Sequence, residues 1–192
     1  AYAYAVFKSD FGSTHFSYAS LPGNLTWDRR DNTLDPTSGT YVMAEVEPLY
    51  EFNGGAFAAR GYADGRAYFG LMDDDLVIAG RVQAGHVAAS SAAVVPPDFL
   101  FYSGGGGTVR GFAYQSMGAG PDHDNSLGGR SFLGGSAELR YRVSDTIGVV
   151  GFADAGWVGA DGFAGFGDWQ DDWQIGAGVG LRSGLVLLGM AG

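Results

Sequence analysis

Phe57-Ala58-Ala59-Arg60-Gly61-Tyr62-Ala63-Asp64-Gly65-Arg66-Ala67-Tyr68-Phe69 is the stretch that decides the fold. Its odd positions (Phe57, Ala59, Gly61, Ala63, Gly65, Ala67, Phe69) are all apolar or glycine. Its even positions include Arg60, Tyr62, Asp64, Arg66 and Tyr68. Successive side chains of a strand point to opposite faces, so a period of two sorts this run into one apolar and one polar face. Soluble strands usually hold about five or six residues, and this run is about twice that length.

The pattern extends in both directions. Tyr2, Tyr4 and Val6 alternate with alanines. A strand from about His15 to Arg30 is expected to break at Leu21-Pro22-Gly23, where proline and glycine favour a bulge. Beyond it, Leu25, Trp27 and Arg29 alternate with Asn24, Thr26, Asp28 and Arg30. Asp31 to Thr40 carries Asp35-Pro36 and Ser38-Gly39, which is turn chemistry. Tyr41 to Leu49 reads as a strand, Phe52-Asn53-Gly54-Gly55 as a turn, Met72 to Asp75 as an acidic turn, and Leu76 to Val87 as another strand. Residues 89–134 do not alternate and form a long loop. Strands resume over Ser136–Val143, Ile147–Trp157 and Trp173–Arg182; Leu185 to Gly192 is apolar without alternation.

Composition agrees with sheets. The 192 residues include 34 glycines, 14% are aromatic and only 17% are charged. Glycine costs about 1 kcal/mol per helical position relative to alanine, so this mixture does not suit helices. A net charge of −10 leaves no basic stripe for nucleic acid. There are no cysteines, hence no disulfide or thiolate metal site. No apolar run reaches the roughly 18 residues of a membrane helix. The chain opens at Ala1 directly in an alternating run, without a signal-type segment, as a piece of a larger protein would.

Long two-faced strands fit a soluble sheet or a membrane β-barrel, and three features favour the barrel. Runs of about nine to thirteen residues match a tilted bilayer crossing. Phe57, Phe69, Trp157 and Trp173 sit at strand ends, where aromatic girdles lie. Short turns at Met72–Asp75, Ser144–Thr146 and Ser183–Gly184 oppose long loops at Ala89–Gly134 and Gly159–Asp172, the periplasmic and extracellular habit of outer-membrane barrels. The expected fold is therefore all-β, a membrane β-barrel of antiparallel strands. Most arginines (Arg30, Arg60, Arg66, Arg81, Arg140, Arg142, Arg182) then face the lumen, where water would solvate them.

Within the long loop, Gly104-Gly105-Gly106-Gly107-Thr108-Val109-Arg110-Gly111-Phe112 joins four glycines to one arginine. Glycines let the backbone turn or approach a wall, and a buried guanidinium needs a carboxylate. Alternation puts Asp154 on the polar face of its strand, the face that Glu138 and Arg140 share on the neighbouring one. A loop of about forty residues is long enough to fold inward and bring Arg110 to that face. Two acidic clusters, Asp122-His123-Asp124-Asn125 and Asp73-Asp74-Asp75, read as solvated loops rather than metal sites. His15 and His86 have no partner that spacing identifies, and no nucleophile elbow, phosphate loop or HExxH spacing occurs. Neither an enzyme nor a cofactor is expected.

These features resemble the BamA/TamA family of outer-membrane assembly barrels. Gly105 to Phe112 resembles the family's glycine-rich Val-Arg-Gly-aromatic motif on extracellular loop six, through Gly105, Val109, Arg110, Gly111 and Phe112. Phe152-Ala153-Asp154-Ala155-Gly156 resembles its Phe-x-Asp-x-Gly motif on the thirteenth strand, with Phe152, Asp154 and Gly156 in the matching places. Glu138 falls where the family has a glutamate on the twelfth strand. Leu25 to Gly39 resembles the eighth strand and its turn in the TamA manner, and Trp173 to Arg182 the fourteenth strand.

The resemblance implies a C-terminal portion of the barrel over residues 1–192, about nine of sixteen strands, with residues 89–134 as an extracellular loop folded into the lumen. It implies a non-enzymatic factor for outer-membrane protein insertion or autotransporter translocation, with Arg110 bracing the interior through Asp154 and Glu138. The partners implied are the outer-membrane bilayer, unfolded outer-membrane or autotransporter clients and a periplasm-spanning subunit. A passive pore or a two-partner-secretion-type transporter is the alternative. In a pore, lumenal arginines would set anion preference. The family's Pro-x-Gly-Pro turn after the fourteenth strand is here only Ser183-Gly184, and its aromatic-terminated last strand has no counterpart.

Overall fold

A computed structural model describes residues 2–9, 12–89, 95–120, 122, 125, 127–161, 163 and 173–183, with side chains from His15 onward. It is almost entirely strand. In chain order the strands are β1 (Tyr2–Ser9), β2 (Gly12–Ser20), β3 (Gly23–Asp28), β4 (Gly39–Glu51), β5 (Ala56–Leu71), β6 (Leu76–Ala89), β7 (Ser131–Arg142), β8 (Ile147–Gly159) and β9 (Gln174–Ser183). All pairings are antiparallel, in one sheet ordered β1-β2-β4-β5-β6-β7-β8-β9.

β2 and β3 are two halves of one strand position. Tyr18 to Ser20 pair with the far end of β4, and Gly23 to Asp28 pair with its near end. Leu21 and Pro22 fall between, because proline has no N–H for the ladder. The break lies where the proline predicts it. The described sheet thus has eight strand positions; the chain after Ser183, where a ninth was expected, lies outside the described residues.

Apolar side chains are on the outside. Leu25, Val42, Val46, Ile78, Val82, Leu139, Ile175, Val179 and Leu181 are all exposed, Val179 by 89%. Such a band would be unstable in water and suits hydrocarbon. It is bounded by exposed aromatics: Phe57 at one rim, and Trp27, Phe69 and Tyr141 at the other. From Phe57 to Phe69 is about 40 Å along β5, or roughly 30 Å across the bilayer at a tilt of about 40°.

The sheet curls strongly. Arg182 on β9 bonds Asp35, in the turn between β3 and β4, at 2.8 Å. That turn, residues 29–38, is therefore drawn inward at the rim that also carries the Met72–Asp75 and Val143–Thr146 turns. It is longer than those two, and at the opposite rim the 52–55 turn is far shorter than the 90–130 loop. Turn length alternates between the rims less strictly than expected.

Three expectations need correction. Trp157 is buried rather than part of an exposed girdle, because Phe163 stacks on it at 6.4 Å. The long loop runs over residues 90–130, since β6 continues to Ala89 and β7 begins at Ser131. And the inner face is not simply polar. Near the loop rim, Phe16, Tyr18, Leu49, Ala58, Val87, Phe132 and Val158 form an apolar cluster with Val95, Phe99 and Phe101 from the loop. The core lies inside the curl, made by the wall together with the loop that enters it.

Candidate functional site: a loop latched to the inner wall

The loop enters over that apolar cluster and then narrows. Phe101 stacks on Phe132 at 5.9 Å and bridges backbone to Gly129. Ser103 and Met117 exchange both backbone bonds, at 2.8 and 3.0 Å, so residues 103–117 form a closed hairpin-like tip. Within it Thr108 N–H donates to Gly105 O and the Thr108 hydroxyl accepts from Gly104 N–H. Gly104, Gly105 and Gly111 have φ of +103°, +90° and +95°, a region that side chains disfavour. The glycine run is a conformational requirement at these three positions; Gly106 and Gly107 have open space around them.

Arg110 is the anchor. Its Nε and Nη2 donate to the two oxygens of Asp154, each at 2.7 Å, and its backbone N–H donates to Oδ2 at 3.0 Å. Nη1 donates to Glu138 on β7, and Nη2 reaches the Ser136 hydroxyl at 3.1 Å. Ser136 in turn donates to Asp154 at 2.7 Å. The guanidinium carbon lies 3.7 Å from the centroid of the Phe152 ring. The Asp154 side chain is 1% exposed and that of Arg110 26%. Such a fork on a carboxylate is geometrically specific, and the aromatic face adds attraction for the cation. Glu138 is shared with Arg140 at 2.7 Å, so the local charge is balanced rather than left buried and unpaired.

The wall is shaped to admit the tip. A Cβ at Gly156 would lie 2.6 Å from Val109, which is fully buried there. A Cβ at Gly176 on β9 would run into the Arg110 carbonyl oxygen. Phe112, by contrast, is partly exposed, and the other residues of the resembled motifs converge without it.

A second contact holds the tip from the other side. Arg81 on β6 donates Nη1 to Gly107 O at 2.8 Å. Its Nε and Nη2 grip Asp64 on β5, which Arg66 also grips, at 2.6 and 2.8 Å for the closest pairs. The lumenal arginines are thus paired with carboxylates rather than merely solvated. Sequence reasoning placed Arg81 and Asp64 on the inner face but missed their joint contact with the loop, because register across strands is what brings them together. A cavity of about 170 Å³ remains between the two anchors, lined by Arg66, Tyr68, Arg81, Thr108, Arg110 and Arg140 among others.

Of the remaining candidates, His86 does have a partner, Ser131 Oγ at 3.0 Å. His123 and Asp124 lie outside the described residues. No group of residues suited to a metal ion occurs among the described residues.

The Omp85 superfamily domain matches residues 1–189. The chain belongs to the Omp85 superfamily. Among solved structures it is similar to BamA from Haemophilus ducreyi lacking POTRA domains 1–3, with 20% identity and a TM-score of 0.68. That likeness covers 89% of this chain and 37% of the BamA chain, and it shows the fold. No curated protein sequence matches. This Omp85 chain is accordingly a partial β-barrel of the bacterial outer membrane, of the BamA/TamA type that its motifs resemble.

Proposed function

We propose that this Omp85 chain is the braced portion of an outer-membrane protein insertion barrel, acting on unfolded outer-membrane clients or, in the TamA manner, on autotransporters. It works without a chemical step. Residues 90–130 are the extracellular loop six, folded inward, and Arg110 braces the interior through Asp154 and Glu138. The supporting observation is the fork of Arg110 on Asp154, with backbone, Ser136 and Glu138 contacts around it. A loop so held would keep the wall in one curvature while strands at a distant gate open to a client.

The experiment is planar-bilayer recording on the full-length protein that contains this chain. A braced, occluded lumen gives small, flickering conductance that grows when Arg110→Ala releases the loop. Steady, large conductance in the unaltered protein, unchanged by that substitution, supports the alternative pore and overturns the brace.

A further inference from the structure

Arg29 stands apart from every other arginine of the chain. Each of the others reaches a carboxylate within 4.0 Å. Arg29 reaches none among the described residues, and it is exposed. Its backbone N–H still donates to Thr40 O at 2.8 Å, so the ladder of β3 and β4 extends one residue past Asp28 and the alternation of faces holds. Arg29 therefore lies on the outer, apolar face with Leu25 and Trp27. Its guanidinium carbon lies 4.7 Å from the centroid of the Trp27 ring, which is 58% exposed.

The position is informative. Trp27 belongs with Phe69 and Tyr141 to the aromatic rim at the end of the barrel that carries the short turns. Aromatic rims mark the boundary between hydrocarbon and headgroups. Arg29, two residues on from Trp27 along the strand, stands at that boundary, within reach of the phospholipid phosphates. Its ring partner occupies one face, which leaves the edge of the fork with donors free for an anion, and a guanidinium is more weakly hydrated than an ammonium. The chain as a whole carries −10, so a diffuse attraction for anions does not explain an isolated outward cation here.

We propose that Arg29 and Trp27 form a phospholipid site, with the Arg29 fork on the headgroup phosphate and the Trp27 ring against the upper acyl chain. It would tie the β3–β4 part of the wall to one leaflet. The site depends on the chain standing in a bilayer, and is independent of the insertion role.

The test uses the full-length protein in detergent micelles, titrated with dioleoylphosphatidylglycerol and followed by native mass spectrometry. Arg29→Gln is expected to weaken the tightest lipid roughly fivefold, the effect of one interfacial cation. Arg29→Lys should retain part of the affinity, and Trp27→Leu should lose roughly two- to threefold. Dioleoylglycerol, which lacks the phosphate, should not distinguish the variants, and inorganic phosphate should not compete. Equal lipid affinity in folded wild type and Arg29→Gln overturns the site. So does equal discrimination with dioleoylglycerol, or displacement by inorganic phosphate, which would make it a free-anion site. Folding of each variant is read from heat-modifiable mobility; should Arg29→Gln not fold, Arg29→Lys and Trp27→Leu carry the comparison.

Discussion

Asp154→Ala is the substitution whose consequence the geometry fixes most closely. Asp154 accepts three bonds from Arg110 and one from Ser136, and its side chain is 1% exposed. Removing one partner of a buried ion pair costs about 3–5 kcal/mol. Arg110 is a quarter exposed and keeps Glu138, which puts the expected cost at the low end, about 3 kcal/mol. Since 1.4 kcal/mol is a factor of ten, the population with the tip lifted off the wall should rise on the order of a hundredfold. The protein offers a clean reporter because it has no cysteine. Ser103 is fully buried at the base of the tip and its hydroxyl has no hydrogen-bond partner, so Ser103→Cys disturbs little and is shielded from maleimide while the loop is seated. In the Ser103→Cys background, Asp154→Ala should raise the labelling rate about a hundredfold. A rate within about twofold of the parent would refute the latch, since it would mean that the tip is held without the carboxylate.

Other outcomes follow from neighbouring contacts. Asp64→Asn should leave Arg66 and Arg81 facing each other uncompensated and free the Gly107 carbonyl, with Ser103→Cys labelling rising less than for Asp154→Ala; an equal or larger rise would make Arg81 the principal anchor. Gly176→Ala should push the Arg110 carbonyl off β9 at a cost of about 1–3 kcal/mol, seen as earlier loss of heat-modifiable mobility; an unchanged melting point would show that the wall yields there. Asp31, in the 29–38 turn, has its pKa lowered to about 2, first by the Thr37 hydroxyl and then by the Ser38 N–H. A lowered folded pKa stabilises above the ordinary value of 3.8, and that contribution fades as pH falls from about 4 towards 2. Protection of the Thr37 and Ser38 amides from hydrogen exchange should fall across that window, and Asp31→Asn should abolish the pH dependence; a flat profile in the parent would deny the Asp31 contacts. Val179→Arg should destabilise the folded barrel in lipid by about 2–4 kcal/mol, whereas a tolerated arginine would mean that β9 does not face hydrocarbon.

Period-two patterning made most of the wall legible in the sequence. The thirteen-residue run centred on Ala63 forms nearly all of β5, and Pro22 marks the break between β2 and β3. Alternation puts Asp154 and Glu138 on one face, and the resemblance to the BamA/TamA motifs supplies Arg110 as their partner. Less visible was anything that depends on how far one strand is shifted against the next. The Arg81–Asp64–Gly107 contact needs the register of β5, β6 and the loop at once. Gly176, Gly178 and Gly180 alternate along the inner face of β9, but alternation does not tell that the Arg110 carbonyl meets Gly176 while the Phe152 ring lies over Gly178. A tryptophan at a strand end reads the same in sequence whether lipid covers it or, as for Trp157, another ring such as Phe163 does.

If the latched loop serves insertion, the full-length protein should speed the folding of client proteins, and the latch should be needed for it. The most direct test adds an unfolded outer-membrane protein to lipid vesicles holding the full-length protein, and follows client folding by heat-modifiable mobility. Client folding should be faster than in empty vesicles, and Asp154→Ala should lose most of that acceleration. Client folding no faster than in empty vesicles, or acceleration untouched by Asp154→Ala, would contradict it.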